Sequence, residues 1–317
     1  SFCNIAVDAR ERIASVFQNK VNTLITKYEH LPIFMKGDSF RESHRNLLDF
    51  GKELLLQTDN PSERILAITT LFTAEDYKNS KMESSIYKAV RYIIGCLMKL
   101  PYTSRPISAG LVDARLLGEY YPTTSNIIVT SPPYINVFNY HQNHRAILET
   151  LGLNLLEVAQ SEIGSNRKHR GNRFKTVVQY CIDMENTINS FWKCLKDTGL
   201  IVFVIGRESN VRGTPFYNGE IVKEIAQGVG GFSDMHNFTR TFVNKFGINI
   251  KEDIIVLKKS PAPPKPSIAS KIALKHLESS FQFAPEIAKA DILEVIKHID
   301  TIAPSPLFIV KEDFLHA

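Results

Sequence analysis

The segment Asn126-Ile-Ile-Val-Thr-Ser-Pro-Pro-Tyr134 constrains the fold more than any other. Asn126 to Thr130 is apolar and β-branched and reads as a strand buried in a sheet. Ser131-Pro132-Pro133-Tyr134 cannot continue it, because two successive prolines fix φ and remove two ladder donors. With proline near 5% of residues, Ser-Pro-Pro-aromatic arises by chance in about a few of every thousand chains this long. The strand therefore ends in a stiff loop whose carbonyls stand out as acceptors. Acceptors without competing donors suit an amino group, and Tyr134 offers a flat face for a planar base, worth about 1–3 kcal/mol.

The surrounding pattern says what kind of sheet holds this strand. The continuous apolar run Leu200–Ile205 is another strand of a sheet buried on both faces. Ile5–Asp8, Ser108–Val112, Phe238–Val243 and Asp253–Leu257 add further strands, those at Asp8 and Asp113 ending in an acid. Helical spacing runs through 9–27, 45–57, 61–72, 84–100, 142–151, 177–195, 220–228, 268–283 and 285–298. Pro61 after Asn60 marks a helix start. Strands alternating with helices predict an α/β fold with a mainly parallel sheet and helices on both faces. Ligands then collect at the carboxyl ends of the strands, where Asp8, Asp113 and Ser131–Tyr134 fall. The expected organisation is the start of a catalytic core over 1–27, a helical insertion over 28–106, core over 107–259, and a proline-rich linker with a helical tail over 260–317.

Composition narrows the class. The chain has 317 residues, 44% hydrophobic and 22% charged, and its longest apolar run falls far short of a membrane span. No signal peptide opens it, and a cytoplasmic, membrane-free protein is the expectation. Cys3, Cys96, Cys181 and Cys194 form no C-x-x-C pair, so they read as core thiols rather than a zinc ribbon or disulfide framework. His141 and His144 lack an evident carboxylate partner, so no metal site is expected. The net charge of +5 permits an anionic partner without requiring one. It is concentrated, however. No acid lies between Glu162 and Asp183, while Arg167, Lys168, Arg170, Arg173 and Lys175 do, among Asn166, Asn172 and two glycines. Such a loop suits a phosphate backbone, with Asn166 or Arg170 able to reach base edges. A second acid-free stretch, 254–277, carries Lys258, Lys259, Lys265, Lys271 and Lys275.

With these residues in view, the chain resembles the amino-methylating DNA methyltransferases, whose catalytic loop is (Asp/Asn/Ser)-Pro-Pro-(Tyr/Phe/Trp). The resemblance implies a Rossmann-like, S-adenosylmethionine-dependent methyltransferase fold with its last strand antiparallel. It implies that Ser131 and the Pro132 carbonyl accept hydrogen bonds from the exocyclic amine of a base flipped from double-stranded DNA, that Pro133 holds the loop and that Tyr134 stacks on the base. Ser at the first position looks most like the cytosine-N4 members, with adenine N6 the alternative, and the resemblance places such an enzyme in a restriction-modification system. Leu111–Leu117 resembles the segment whose acid, Asp113, contacts the cofactor adenine. Asn4–Asp8 resembles the strand whose acid, Asp8, holds its ribose. Asp8, Asp113, Ala114 and Ser131 are thus the implied cofactor residues, and Asn166, Arg167, Lys168, Arg170, Arg173 and Lys175 the DNA-contacting ones.

One element of the family pattern is absent: no Phe-x-Gly-x-Gly loop precedes the catalytic segment, and the Gly228–Gly231 cluster follows a helix. Because the chain opens at Ser1 rather than Met, the first strand and its glycine loop are expected either just upstream or on a second polypeptide. The rival of another class is a non-catalytic DNA-binding subunit. An RNA base or a protein glutamine amide are alternative substrates, the latter disfavoured by the basic loop. Ring-carbon methylation is disfavoured too, since no cysteine follows a proline to serve as its nucleophile.

Overall fold

The computed structural model describes residues 1–29, 40–77, 81–136, 142–165, 169–244, 246–265 and 267–309, with the backbone alone at 29 and 40–44. Helices along the chain are α1 Val7–Glu29, α2 Phe40–Leu56, α3 Pro61–Glu75, α4 Met82–Lys99, α5 Leu117–Tyr120, α6 Arg145–Thr150, α7 Leu155–Ser161, α8 Lys175–Cys194, α9 Asn218–Gly228, α10 Ala269–Phe281 and α11 Glu286–Lys297. The strands are β1 Ser125–Thr130, β2 Leu195–Gly206, β3 Glu208–Val211, β4 Thr214–Tyr217, β5 Phe232–Val243 and β6 Asn249–Lys259. They divide into two compact units, 1–110 with 142–155, and 111–141 with 156–317.

The first unit is helical. Phe17, Val21, Leu24 and Ile25 of α1 recur at helical spacing and bury against Phe50, Leu54, Leu71 and Ile86. Asn60 caps α3, its Oδ1 accepting the Glu63 N–H at 3.0 Å while Glu63 returns a contact to the Asn60 amide at 2.9 Å. The strand expected at Ile5–Asp8 does not form: Phe2–Asn4 is a 3-10 turn and α1 begins at Val7. A run as short as Ile-Ala-Val carries no periodicity of its own, and the stripe from Ala14 to Ile25 extends the helix back over it. Residues 1–27 therefore belong with the helical segment rather than opening the sheet.

Arg10 is the unit's one fully buried charge among the described residues. Its guanidinium donates to the carbonyls of Ile5 at 2.8 Å, Leu100 at 2.5 Å, Pro101 at 3.1 Å and Leu97 at 3.4 Å. These include carbonyls left over at the end of α4, where a cation is also favoured by the helix dipole.

In the second unit a four-stranded sheet has the order β1-β2-β6-β5. β1 pairs parallel with β2, and β6 pairs antiparallel with both β2 and β5. Thus β1, β2 and β5 share one direction and the last strand, β6, is inserted against it, giving a mixed α/β layer. Asp197–Gly199 form a bulge within β2, where Thr198 takes φ 68° and Ser125↔Leu195 gives way to Ile127↔Leu200. Ile201, Phe203, Ile205, Ile255 and Leu257 pack from one sheet face onto α8, α9 and α10. The opposite face does not close: Val202, Val204, Ile254 and Val256 are half-buried, while Ile127, Val129 and Phe238 are 58%, 69% and 55% exposed. Among the described residues of this unit, helices cover one of the two sheet faces, where cover on both was expected.

Two further expectations are corrected. Ser108–Val112 is irregular rather than a strand. The C-terminal helices are no appended tail, because Ile272, Leu277, Ala288, Ile292 and Val295 are part of the same core. The linker is tied down as well, Ser260 and Lys265 donating their N–H groups to Gly231 and Val229 at 2.9 and 2.8 Å. Among the described residues no helix is long and apolar enough to cross a membrane. Cys181 and Cys194 are core thiols, whereas Cys96 is exposed and Cys3 half-buried.

Replacing Arg10 by Met should cost about 3 kcal/mol, because buried carbonyls lose a charged donor and gain none. The urea midpoint should fall correspondingly, and Arg10→Lys should recover only part of the loss; an unchanged midpoint for Arg10→Met would refute the account.

Candidate active site

Parallel pairing of β1 and β2, with Thr130 opposite Phe203, brings the ends of both strands to one edge of the sheet. Ser131–Tyr134 leaves β1 there. Ser131 is exposed, Pro132 buried, Pro133 and Tyr134 half-buried. The loop is pinned beyond Tyr134. Ile135 donates its N–H to Asn218 Oδ1 at 3.2 Å, Asn136 its N–H to the Gly164 carbonyl at 2.9 Å, and the Asn136 amide donates to the Asn210 carbonyl at 3.2 Å. Asn136 takes φ 60°, which Asn tolerates better than most residues. Gly164 must be small, since a Cβ there would lie 2.9 Å from the Tyr134 carbonyl oxygen. Below the loop Tyr180 is wholly buried, its hydroxyl has no hydrogen-bond partner among the described residues, and burial pushes its phenol up.

The other implied site residues have the following surroundings. Asp8 lies in the first unit, exposed in the first turn of α1 and 3.6 Å from Arg12 one turn on. Asp113, followed by Ala114 in a 3-10 turn, faces inward. Its Oδ1 accepts from the Arg115 N–H at 3.0 Å and Nε at 2.9 Å; its Oδ2 accepts from an Arg115 terminal nitrogen at 2.6 Å and from the Phe308 N–H at 3.0 Å. A carboxylate has about four such acceptor sites, and all are taken. Arg115 also reaches Asp183 at 3.0 Å and the carbonyls of Ser305 and Pro306 at 2.7 and 2.8 Å. Asp183 in turn accepts the Ser305 N–H at 2.9 Å. Burial works to raise the Asp113 carboxyl, but the Arg115 guanidinium and the Phe308 and Arg115 N–H groups prevail and hold it below the ordinary range. Asp113 is therefore a structural anchor for the chain at 305–308, not an open cofactor acceptor.

Of the basic loop, Asn166, Arg167 and Lys168 lie outside the described residues. Arg170 is exposed and Arg173 half-buried. Lys175 pairs with Glu294 at 3.2 Å, and Asn172 donates to the same carboxylate at 3.1 Å. These contacts, the Asn172 hydrogen bond foremost, hold the Glu294 carboxyl below its ordinary range. In the second stretch Lys259 is buried, donating to the Leu195 carbonyl at 2.6 Å over the Trp192 ring, and Lys275 pairs with Glu224 at 2.7 Å. Among the described residues no cluster of three His, Cys, Asp or Glu could hold a metal. His141 lies outside them, and His144 does find a carboxylate, Glu75, at 2.5 Å.

Sequence reasoning missed Gly206 and Asn218, which lie against the loop, although a glycine closing the run Leu200–Ile205 was a visible signal.

No family model and no curated protein matches the chain. Among solved structures it is similar to TTHA0409 of Thermus thermophilus, a candidate DNA modification methylase. Identity is 16% and the TM-score 0.28, over 50% of this chain and 56% of that one. The same protein complexed with S-adenosyl-L-methionine gives 16% identity and 0.28 over 56% and 68%. The chain thus spans little more than half of the first of these structures, and scores this low fix neither fold nor activity.

Asp113→Asn should cost about 3 kcal/mol at neutral pH by leaving Arg115 buried with one counter-charge fewer. The native carboxyl is held low, so its contribution is present above about pH 4 and lost as pH falls through its folded value. Chemical unfolding across pH 3–7 should show the gap between wild type and Asp113→Asn narrowing toward acid. A gap independent of pH would overturn the assignment.

Proposed function

We propose that this chain carries the base-binding half of an S-adenosylmethionine-dependent DNA methyltransferase that modifies an exocyclic amine, cytosine N4 in preference to adenine N6, as the modifying arm of a restriction system. The supporting observation is the Ser131–Tyr134 loop, held at the shared end of two parallel strands by bonds on its far side, with Ser131 turned outward. In this reading the Ser131 hydroxyl and the Pro132 carbonyl accept from the amine, drawing its lone pair out of conjugation with the ring. Tyr134 stacks on the base, which must leave the duplex to reach it. Arg170 and Arg173, with the neighbouring Arg167 and Lys168, hold the phosphate backbone.

Of the residues implied for the cofactor, Asp113 has its carboxylate acceptors taken by Arg115 and Phe308, and Asp8 stands exposed in the first turn of α1. No step is therefore assigned to cofactor groups of this chain. The strand and glycine loop that hold the cofactor come, in this reading, from residues upstream of Ser1 or from a second polypeptide, added along the edge of β1. Exposed Ile127 and Val129 favour this, since an uncovered apolar edge strand invites pairing. The saturated Asp113 also favours the second reading, a non-catalytic DNA-binding subunit.

Nucleoside mass spectrometry of DNA from cells carrying the native locus should find N4-methylcytosine, lost when Tyr134→Ala is introduced. N6-methyladenine in its place would move the target to adenine; a modification that survives Tyr134→Ala would overturn the base-binding role. Replacing Arg167, Lys168 and Arg170 by Ala should reduce the slope of log affinity for duplex DNA against log salt by about 2–3 units. An unchanged slope would make the loop bystander surface.

A further inference from the structure

Asn218 begins α9, yet the described partners of its side chain all lie outside that helix. It is fully buried. Its Oδ1 accepts from the Ile135 N–H at 3.2 Å and the Ser209 hydroxyl at 3.1 Å. Its Nδ2 donates to the Gly206 carbonyl at 2.8 Å and to Ser209 Oγ at 2.9 Å. One planar amide thus ties the residue that follows Tyr134 to the residue that ends β2. Gly206 is also what the Tyr134 ring rests on: a Cβ there would lie 2.6 Å from Tyr134 Cε2 and 2.8 Å from Cζ, closer than atoms can approach. Gly206 does not need to be glycine for its own backbone, since its φ is not among the positive ones. Its lack of a side chain makes room for the ring.

We propose that Asn218 and Gly206 form a seat for Tyr134, Asn218 fixing its distance from the end of β2 and Gly206 fixing the height of the ring. The seat deepens the base-binding reading of Tyr134 and rests on it for its purpose, though not for its geometry. Asn suits the position because it offers donor and acceptor on one rigid plane, where Asp would place an oxygen against the Gly206 carbonyl and Ser could not span both strands' ends. A base stacks productively only within a narrow range of ring height and tilt, and displacement of about 1 Å costs on the order of 100-fold in rate.

The test uses the chain labelled with 3-fluorotyrosine, the Tyr134 resonance being assigned by its loss in Tyr134→Phe. Gly206→Ala and Asn218→Asp should each shift that resonance while the other tyrosine signals hold. At the native locus each should lower DNA methylation at least ten-fold, with duplex affinity unchanged. A Tyr134 resonance unmoved in folded Gly206→Ala and Asn218→Asp overturns the seat. Should Asn218→Asp fail to fold, Gly206→Ala decides by the same criterion. Shifted resonances combined with methylation that survives Tyr134→Ala uphold the seat and remove the base-binding reading, so the two fail separately.

Discussion

The parallel ladder between β1 and β2 is the constraint on which the rest of the site depends. Parallel strands end on the same side, so the backbone leaving Thr130 and the backbone leaving Ile205 arrive next to each other. Had β2 run the other way, Gly206 would lie at the far end of the sheet and Tyr134 would have nothing to rest on. The ladder owes its stability to β-branched residues on both strands and to the helical layer that covers Ile201, Phe203 and Ile205. Within that layer α8 is tied to the start of α10: the Glu185 carboxylate accepts three successive N–H groups, from Ser267, Ile268 and Ala269.

Buried charge in this protein serves connection more than chemistry. Arg10 gathers loose carbonyls where α1 meets the end of α4, and Arg115 gathers Asp113, Asp183 and the chain at 305–306. In each case a guanidinium does what no other side chain can, offering five fixed donors to acceptors that water has left. A carboxylate locked into such a knot cannot also serve a ligand. Asp113, chemically suited to a cofactor adenine, has its acceptors occupied by Arg115 and the Phe308 N–H in this structure, a long-range arrangement that its identity and spacing do not announce.

The helices were legible because their apolar spacing extends over many residues, and so was the reversal of β6 beside β2, which the antiparallel ladder bears out. The Pro-Pro loop was legible because proline chemistry is local. What failed was of two kinds. Ile5–Asp8 and Ser108–Val112 are apolar runs of three to five residues, too short for period two and period 3.6 to be told apart; the first runs into α1, and the second, mostly exposed, joins no ladder. Arg10, Arg115 and Asn218 act through partners up to 191 positions away, and no local pattern announces a long-range partner.

The open sheet face follows from the same physics. Only β1–β2 is a parallel pair, β6 running antiparallel to both its neighbours, and antiparallel pairing tolerates one face left open. Alternation along the strands sorts the residues: Ile201, Phe203, Ile205, Ile255 and Leu257 face the helices, and their neighbours in sequence, Val202, Val204, Ile254 and Val256, face the other way.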